Sequence, residues 1–161
     1  MPKAQWRLAT GEYVHDRSPS HIHDGVRPYL GEILASINSR RRHTITQTVE
    51  YDRPVGVTSC VATRPDDTII FARRKGRRGV SRFVKNRRAE PTRHVSVVLR
   101  RTDRGDYQIM TAHFGRPAPR EPWSDGSSSR MARDFWQRHA FAWGAEPIVR
   151  GAESYRPPGR R

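Results

Sequence analysis

The sequence has few lysines, a single cysteine and no long apolar run. Lys3, Lys75 and Lys85 are its only lysines, so arginine supplies nearly all of the 31 basic residues. One cysteine, Cys60, excludes an internal disulfide and is typical of a reducing compartment. No stretch of about 18 apolar residues could span a membrane, and the first ten residues lack the apolar core of a signal peptide. We therefore expect a cytoplasmic protein with no membrane contact.

The second feature is a large excess of positive over negative charge in a chain with few hydrophobic residues. Only 34% of the 161 residues are hydrophobic, while 31 basic residues face 16 acidic ones, for a formal net charge of +15. Codon bias in a GC-rich genome explains arginine in place of lysine, but not the excess of cations over acids. Because bound phosphates release condensed counterions, the charge predicts a nucleic-acid partner, RNA above all. An anionic membrane surface or an acidic protein is the alternative.

The pattern of apolar residues predicts one α+β domain. Residues 1–25 are poor in apolar residues and are predicted to form a flexible N-terminal arm. An apolar stripe over 26–38 and another over 131–143 predict an N-terminal and a C-terminal helix. Period-two alternation predicts strands at 43–51, 55–63, 68–72, 80–85, 94–100 and 107–114. We expect the N-terminal helix to pack on a four- to five-stranded antiparallel sheet within a single domain, 26–150, followed by a disordered basic tail, 151–161.

Residues 73–93 form a basic segment with ten cations and one acid. Glycines at 76 and 79 allow close approach of a ligand to the backbone, and arginine forks match phosphate oxygens. Phe71 and Phe83 flank the cations and are candidates for stacking against unpaired bases. The alternative is a solvated charge run in a loop. The predicted RNA-binding residues are Arg73, Lys75, Arg77, Arg78, Phe83, Lys85, Arg87 and Arg88.

A dispersed set of residues has the chemistry for metal-independent RNA cleavage. That reaction needs a base for the 2′-hydroxyl, a cation for the phosphorane and an acid for the leaving oxygen. The predicted catalytic residues are His43, Arg74, Arg82, Thr111 and His113. His43 is the better candidate base, because histidine titrates near neutral pH. Each histidine taken alone is more often structural, and neither a metal nor a cofactor is expected.

Several other chemistry-bearing residues are given structural interpretations. His21 and His23 have the spacing of ligands on a strand, but no further ligand lies nearby in sequence. Trp123 and Trp136 are expected to cover the sheet rather than to stack on bases. Glu121 or Asp125 could orient a histidine or an arginine. Cys60 is expected to be a small buried residue, and not a nucleophile.

Parts of the chain resemble small bacterial toxin ribonucleases of the group that includes barnase, EndoU, the colicin ribonucleases and RelE. The resemblance rests on a strand-initial His43, the runs 72–77 and 81–84, a Val-rich strand, and the segment 107–112 before Gly115 and 121–123. It implies a helix packed on an antiparallel sheet whose exposed face cleaves tRNA, mRNA or ribosome-bound RNA without a metal. It also implies an antitoxin or immunity protein, and it matches His43, Arg82 and Thr111 to the group's active residues.

The sequence therefore predicts an RNA-cleaving toxin, with other classes still open. A non-catalytic RNA-binding or ribosome-associated protein would use the same basic segment, leaving His43 and Thr111 structural. A DNA-binding regulator ranks lower because no helix-turn-helix pattern is present. An inert interaction protein with a charged surface is the remaining class, and strong salt dependence of nucleic-acid binding would argue against it.

Overall fold

The computed structural model describes residues 6–16, 21–77, 79–123, 129–151 and 153–157. The chain divides into two compact units, the first formed by Met1–Gly56 with Pro91–Pro117 and the second by Val57–Glu90 with Ala118–Arg161. Residues 26–150, which the sequence analysis treats as one domain, are divided between them. Among the described residues, none of the helices has the length and apolar character to cross a membrane.

Eleven strands and two α-helices are present in the described residues. In chain order they are β1 (Trp6–Arg7), β2 (Tyr13–Asp16), α1 (Arg27–Ala35), β3 (Thr44–Glu50), β4 (Gly56–Thr58), β5 (Cys60–Ala62), β6 (Ile69–Ala72), β7 (Ser81–Val84), β8 (Glu90–Thr92), β9 (His94–Arg101), β10 (Tyr107–Phe114), α2 (Arg130–Arg138) and β11 (His139–Ala142). A 3-10 turn at Asp24–Val26 leads into α1.

The first unit is built on a five-stranded sheet with the order β1-β2-β10-β9-β3. Strands β9 and β10 form the hairpin that the sequence predicts, and β3 pairs with β9 in antiparallel register. Strand β2 lies parallel to β10, with Val14 beside Tyr107. The prediction of a flexible arm is therefore wrong for residues 6–16, which contain the paired strands β1 and β2. Residues 1–5 and 17–20 of the predicted arm lie outside the described residues.

Helix α1 covers one face of this sheet. Pro28 occupies its first turn, where its missing N–H costs no hydrogen bond. Leu30, Ile33 and Leu34 are almost completely buried and belong to one apolar core with Val97 and Ala112 of the sheet. The sheet face that carries Val97 and Ala112 is thus the core face, and the residues that alternate with them belong to the opposite face.

The second unit contains a four-stranded sheet with the order β5-β11-β7-β6. Strand β11 is parallel to β7 and antiparallel to β5. Its small cores centre on Val61 with Val84, and on Ile70 with Phe83. A third, two-stranded sheet is formed by β4 and β8.

Helix α2 is shorter than the sequence predicts. It begins where Ser129 Oγ accepts a hydrogen bond from Ala132 N, at 3.1 Å, and it ends at Arg138. His139 then adopts an extended backbone, with φ −132° and ψ 152°, and opens β11. The predicted helix over 131–143 is wrong in its second half because the chain there completes the sheet. Part of the predicted tail is also ordered, since Ser154 pairs with Phe71; residues 152 and 158–161 lie outside the described residues.

The predicted fold class, an α+β domain with one antiparallel sheet between an N-terminal and a C-terminal helix, is wrong. The structure is mostly β, with three sheets in place of the single four- to five-stranded sheet, and it has two helices of nine residues each in the described chain. The physical reason is the segment between β3 and β9. Sequence periodicity gives strands there but not their partners. Strands β5 and β7 pair with β11, and β6 pairs with β7, to form a second sheet.

Candidate nucleic-acid interface

Three exposed cations of the basic segment lie on the turn that joins β6 to β7. Gly76 and Gly79 have positive φ angles of 78° and 75°, conformations that side-chain-bearing residues rarely adopt. Arg73, Lys75 and Arg77 are exposed on this turn, and so is Arg88 beyond β7. We call these four residues the basic turn set. Arg78 of the predicted RNA-binding residues lies outside the described residues.

Arg74, a predicted catalytic residue, is held inside the second unit. Its Nε donates to Ser81 Oγ at 3.0 Å, and its Nη2 lies 3.5 Å from Glu121 Oε2. The guanidinium also lies over the ring of Phe141, 4.6 Å from its centroid. Burial raises the pKa of Glu121, and the positive charge of Arg74 opposes that rise. Glu121 is therefore the local partner of the Arg74 charge. From the sequence, Glu121 is expected to be able to orient an arginine in this way.

Arg82 and Arg87 also have structural contacts. Arg82 Nη1 donates to the backbone oxygen of His139 at 2.9 Å, and burial lowers the pKa of this half-buried guanidinium. Arg87 forms ion pairs with Glu90 and, at 3.3 Å, with Asp67, whose side chain is 2% exposed. The fixed contacts of these two arginines place them among the residues that stabilise the second unit.

The predicted stacking residue Phe83 is not available to a base. It is fully buried and packs against Phe141 and Trp143. The prediction of base stacking by Phe83 is therefore wrong, because β7 lies between β11 and β6 and Phe83 belongs to a core of the second unit. Lys85 does remain exposed, and its Nζ donates to Tyr155 Oη at 3.1 Å.

The tryptophans have the structural role that the sequence predicts. Trp136 is 1% exposed, and its Nε1 donates to Pro119 O at 2.9 Å. The ring of Trp123 packs edge-on against Phe71 and Trp136. Asp125 lies outside the described residues.

A second candidate surface lies on the first unit, on the sheet face opposite α1. Ala112 pairs with Val97 on one side and with Ile22 on the other, and all three are buried on the core face. Their neighbours in sequence therefore belong to the opposite face. We call this surface the histidine face. It carries His21, His23, Thr48, His94, Ser96, Thr111 and His113.

Hydroxyl groups cross the histidine face beside His113. Strand register aligns Thr48, Ser96 and His113 in one row across β3, β9 and β10. Ser96 Oγ donates to Gly115 O at 2.7 Å, so Thr48 Oγ1, at 3.0 Å, is the donor to Ser96 Oγ. Thr111 Oγ1 donates to His21 O at 3.3 Å. These bonds fix the strands on which the histidines lie.

The His113 imidazole is oriented by its own strand. Its Nδ1 lies 3.0 Å from Phe114 O, and a carbonyl oxygen can only accept, so Nδ1 carries the hydrogen and donates. Nε2 is then the nitrogen that can take up a proton. The ring of His23 lies beside it, with centroids 6.4 Å apart. Two neighbouring imidazoles, of which His23 is exposed and His113 is partly buried, can act as a general base and a general acid.

His43 does not lie with these residues. It is exposed, one residue before β3, and its backbone oxygen accepts from Arg101 N. His113 is aligned with Ser96, five residues from Arg101 along β9, which is about 17 Å at the rise of a strand. The structure therefore brings Thr111 and His113 together but separates His43 from them. Arg74 and Arg82 belong to the other unit, so the five predicted catalytic residues do not share one sheet.

Sequence reasoning missed His21, His23, His94, Thr48 and Ser96 as members of the histidine face. The signal for His21 and His23 was their spacing of two, which places both side chains on the same side of an extended chain. What the sequence lacks is any indication that Ile22 pairs with Ala112. Within the described ranges, no group of three or more His, Cys, Asp or Glu residues is arranged to hold a metal ion.

Fold and surface together define a mostly β, strongly basic protein of two compact units, one with a histidine face and one with a basic turn set. Comparisons of this chain with protein-family models, with curated proteins and with solved structures found no match.

Proposed function

We propose that this protein is a metal-independent endoribonuclease of the toxin type, with its active residues on the histidine face. The observation that carries the proposal is the pair of rings of His23 and His113, 6.4 Å apart beside Thr111. The net charge of +15 supports RNA as the substrate, because phosphate contacts favour binding to a basic protein. The resemblance to bacterial toxin ribonucleases points to the same chemistry.

In the proposed reaction, one imidazole takes the proton of a ribose 2′-hydroxyl. The 2′-oxygen forms a bond to phosphorus as the bond from phosphorus to the 5′-oxygen breaks. The second imidazole, in its protonated form, gives its proton to that leaving oxygen. The products are a 2′,3′-cyclic phosphate and a free 5′-hydroxyl. His113 and His23 are assigned these two roles, and Thr111, whose hydroxyl donates to His21 O, is assigned the positioning of the segment that carries His23.

The proposed reaction also needs positive charge near the phosphorane. Arg93 and Arg116 are exposed and adjoin His94 and Gly115, which share a backbone hydrogen bond at 2.8 Å. Both arginines thus lie at the end of the sheet that carries His113. We assign to these two arginines the stabilisation of charge on the phosphorane, a role for which the sequence predicts Arg74 and Arg82.

A non-catalytic RNA-binding or ribosome-associated protein is the second candidate. It is favoured by the basic turn set, whose cations are exposed while Arg74 and Arg87 are engaged in ion pairs. Either function places the protein in the cytoplasm with tRNA, mRNA or the ribosome as partner. The catalytic function adds an antitoxin or immunity protein that would protect the producing cell.

The experiment that tests the proposal is incubation of the RNA-free protein with total RNA in EDTA. His113→Ala is the test variant, and His43→Ala, at an exposed histidine of the same unit, is the control. Fragments ending in 2′,3′-cyclic phosphate, produced by the wild type and by His43→Ala but not by His113→Ala, would support the endoribonuclease. RNA that stays intact but binds the protein would instead favour the non-catalytic candidate.

A further inference from the structure

Strand β3 forms an edge of the five-stranded sheet, and β9 is its only strand neighbour among the described residues. Arg101 N donates to His43 O, and Tyr51 N donates to Arg93 O, so the odd-numbered residues direct their backbone groups toward β9. Backbone direction alternates along an antiparallel strand. Thr44, Thr46, Thr48 and Glu50 therefore direct their N–H and C=O groups away from the sheet.

This edge lacks the features that usually keep strand edges from pairing. Edge strands are commonly protected by proline, lysine, an inward charge or a β-bulge. The sequence of β3, Thr-Ile-Thr-Gln-Thr-Val-Glu, has none of these residues except a terminal acid, and its register with β9 is unbroken. Seven residues of extended backbone are thus ready to accept another strand.

The sequence of β3 is complementary to itself when two copies run antiparallel. With Gln47 opposite Gln47, Thr46 of one copy faces Thr48 of the other on the outer side, while Ile45 stays buried in the core of its own copy. Thr46 and Thr48 both direct backbone groups outward, so this register gives a regular ladder of hydrogen bonds. Pairs of threonines are favourable cross-strand neighbours.

Charge at the ends of the strand agrees with the same register. Glu50 of one copy lies opposite the uncharged Thr44 of the other, so the only charged residue of the strand meets a neutral one at both ends. No pair of like charges is directly opposed along the seven residues. A heterologous strand would have to match this pattern separately, whereas a second copy matches it through symmetry.

We propose that two copies of this protein pair through β3 to form a dimer with a continuous ten-stranded sheet. The twofold axis passes between the two Gln47 residues, perpendicular to the sheet, so both histidine faces lie on the same side. Each copy carries a net charge of +15, and salt screens the resulting repulsion. The dimer should therefore strengthen with salt, which is opposite to the effect of salt on nucleic-acid binding.

The test is the molar mass of RNA-free protein by light scattering over a range of concentrations and salt. Thr46→Lys places a charge at the pairing edge, and Thr68→Lys adds the same charge at an exposed threonine of the second unit. Wild type and Thr68→Lys should give twice the monomer mass of 18.6 kDa, with Thr46→Lys at the monomer mass. Retained thermal unfolding of Thr46→Lys will show that the fold is intact.

Hydrogen exchange resolved by residue adds an independent test. The amides of Thr46 and Thr48 should exchange slowly in the dimer and rapidly in Thr46→Lys, while Gln47, bonded to β9, stays protected in both. A monomer at every concentration and salt would overturn the proposal. So would a dimer that survives Thr46→Lys, or a monomeric protein whose edge is occupied by a different polypeptide.

Discussion

The imidazole rings of His23 and His113 lie beside each other with centroids 6.4 Å apart, although they come from distant parts of the sequence. One backbone pairing brings them together. His23 N donates to Ala112 O at 3.1 Å, and Ala112 N donates to His21 O at 3.2 Å, so Ile22 extends the sheet beside β10. The residues that flank Ile22 and Ala112 are thereby aligned on the histidine face.

We expect both members of this histidine pair to be required for RNA cleavage. His23→Asn and His113→Asn each remove a proton-transfer group, and such groups commonly contribute about 10²- to 10⁴-fold to rate. The wild type should show a bell-shaped dependence of kcat/KM on pH, since one ring must be neutral and the other protonated. Each variant should lose one limb of that curve. The measurement is cleavage of a fluorescent oligoribonucleotide over a pH series.

His43 provides the contrast within the same unit. It lies about 17 Å from the row of His113, so His43→Asn should retain wild-type cleavage and the same pH curve. A large loss in His43→Asn, with His23→Asn unchanged, would contradict the assignment and restore His43 to the site.

We expect the basic turn set to control RNA affinity through its charge. Lys75 and Arg77 are exposed, so Lys75→Ala with Arg77→Ala removes two cations that are available to phosphates. The slope of log Kd against log salt for single-stranded RNA should fall by about 0.7 for each phosphate that is no longer neutralised. The matched control is Arg53→Ala with Arg104→Ala, which removes the same charge from exposed residues of the first unit. Equal slopes for the two double variants would show that overall charge, and not this turn, binds RNA.

The parts of the fold that could be predicted are those with a long local pattern. Strand β3 alternates over seven residues, β9 and β10 are long and rich in apolar residues, and α1 presents an apolar stripe. Each pattern specifies both the element and its buried face. Thr111 and His113 were found as candidates because they lie two apart on such a strand, which puts them on one face.

The rest depends on pairings between residues that are distant in sequence. Strand β2 has four residues, two of them polar, and it exists because it pairs with β10. His139 follows a helix without a break in composition, yet it opens a strand that fits between β5 and β7. Phe83 lies among cations in the sequence, which suggests contact with RNA, but the position of β7 between β11 and β6 buries it. Tertiary context decides such segments, and local propensity does not.

We expect Arg87 to stabilise the second unit and not to bind RNA. Its guanidinium pairs with Asp67, whose side chain is 2% exposed, and with Glu90. Arg87→Ala removes the ion-pair partner of the Asp67 carboxylate, which keeps the hydrogen bond from Arg64 N and the attraction of Arg82, so the expected cost is up to about 3 kcal/mol. Arg88→Ala is the control, since Arg88 is exposed and its loss should change stability by less than about 0.5 kcal/mol. Urea unfolding of both variants measures the difference, and similar midpoints would contradict the structural role.

We expect the Cys60 thiol to be unreactive at neutral pH. Burial, together with the negative charge of Glu121, raises the pKa of Cys60 to about 12, so almost no thiolate is present near pH 7. Its reaction with an aromatic disulfide reagent should accelerate about tenfold per pH unit, with no plateau near pH 9. A plateau near pH 8 or 9 would show an ordinary thiol. Glu121→Gln should increase the rate, because it removes the neighbouring negative charge.

The buried carboxyl of Glu121 should make the stability of the protein decrease as pH rises above the usual range of a glutamate. Glu121 is 8% exposed, and burial raises its pKa despite the opposing effects of Arg74 and Ser81. Between the unfolded and folded pKa values the native state holds a proton that the unfolded chain has released, so the free energy of unfolding decreases with pH. The decrease is at most about 1.4 kcal/mol per pH unit.

Glu121→Gln keeps an oxygen acceptor for Ser81 but carries no titrating proton. Its stability relative to wild type should therefore increase from pH 4.5 upward and level off above the folded pKa, as measured by urea unfolding at each pH. A relative stability that decreases over this range would show that the ion pair with Arg74 outweighs the burial of the charge.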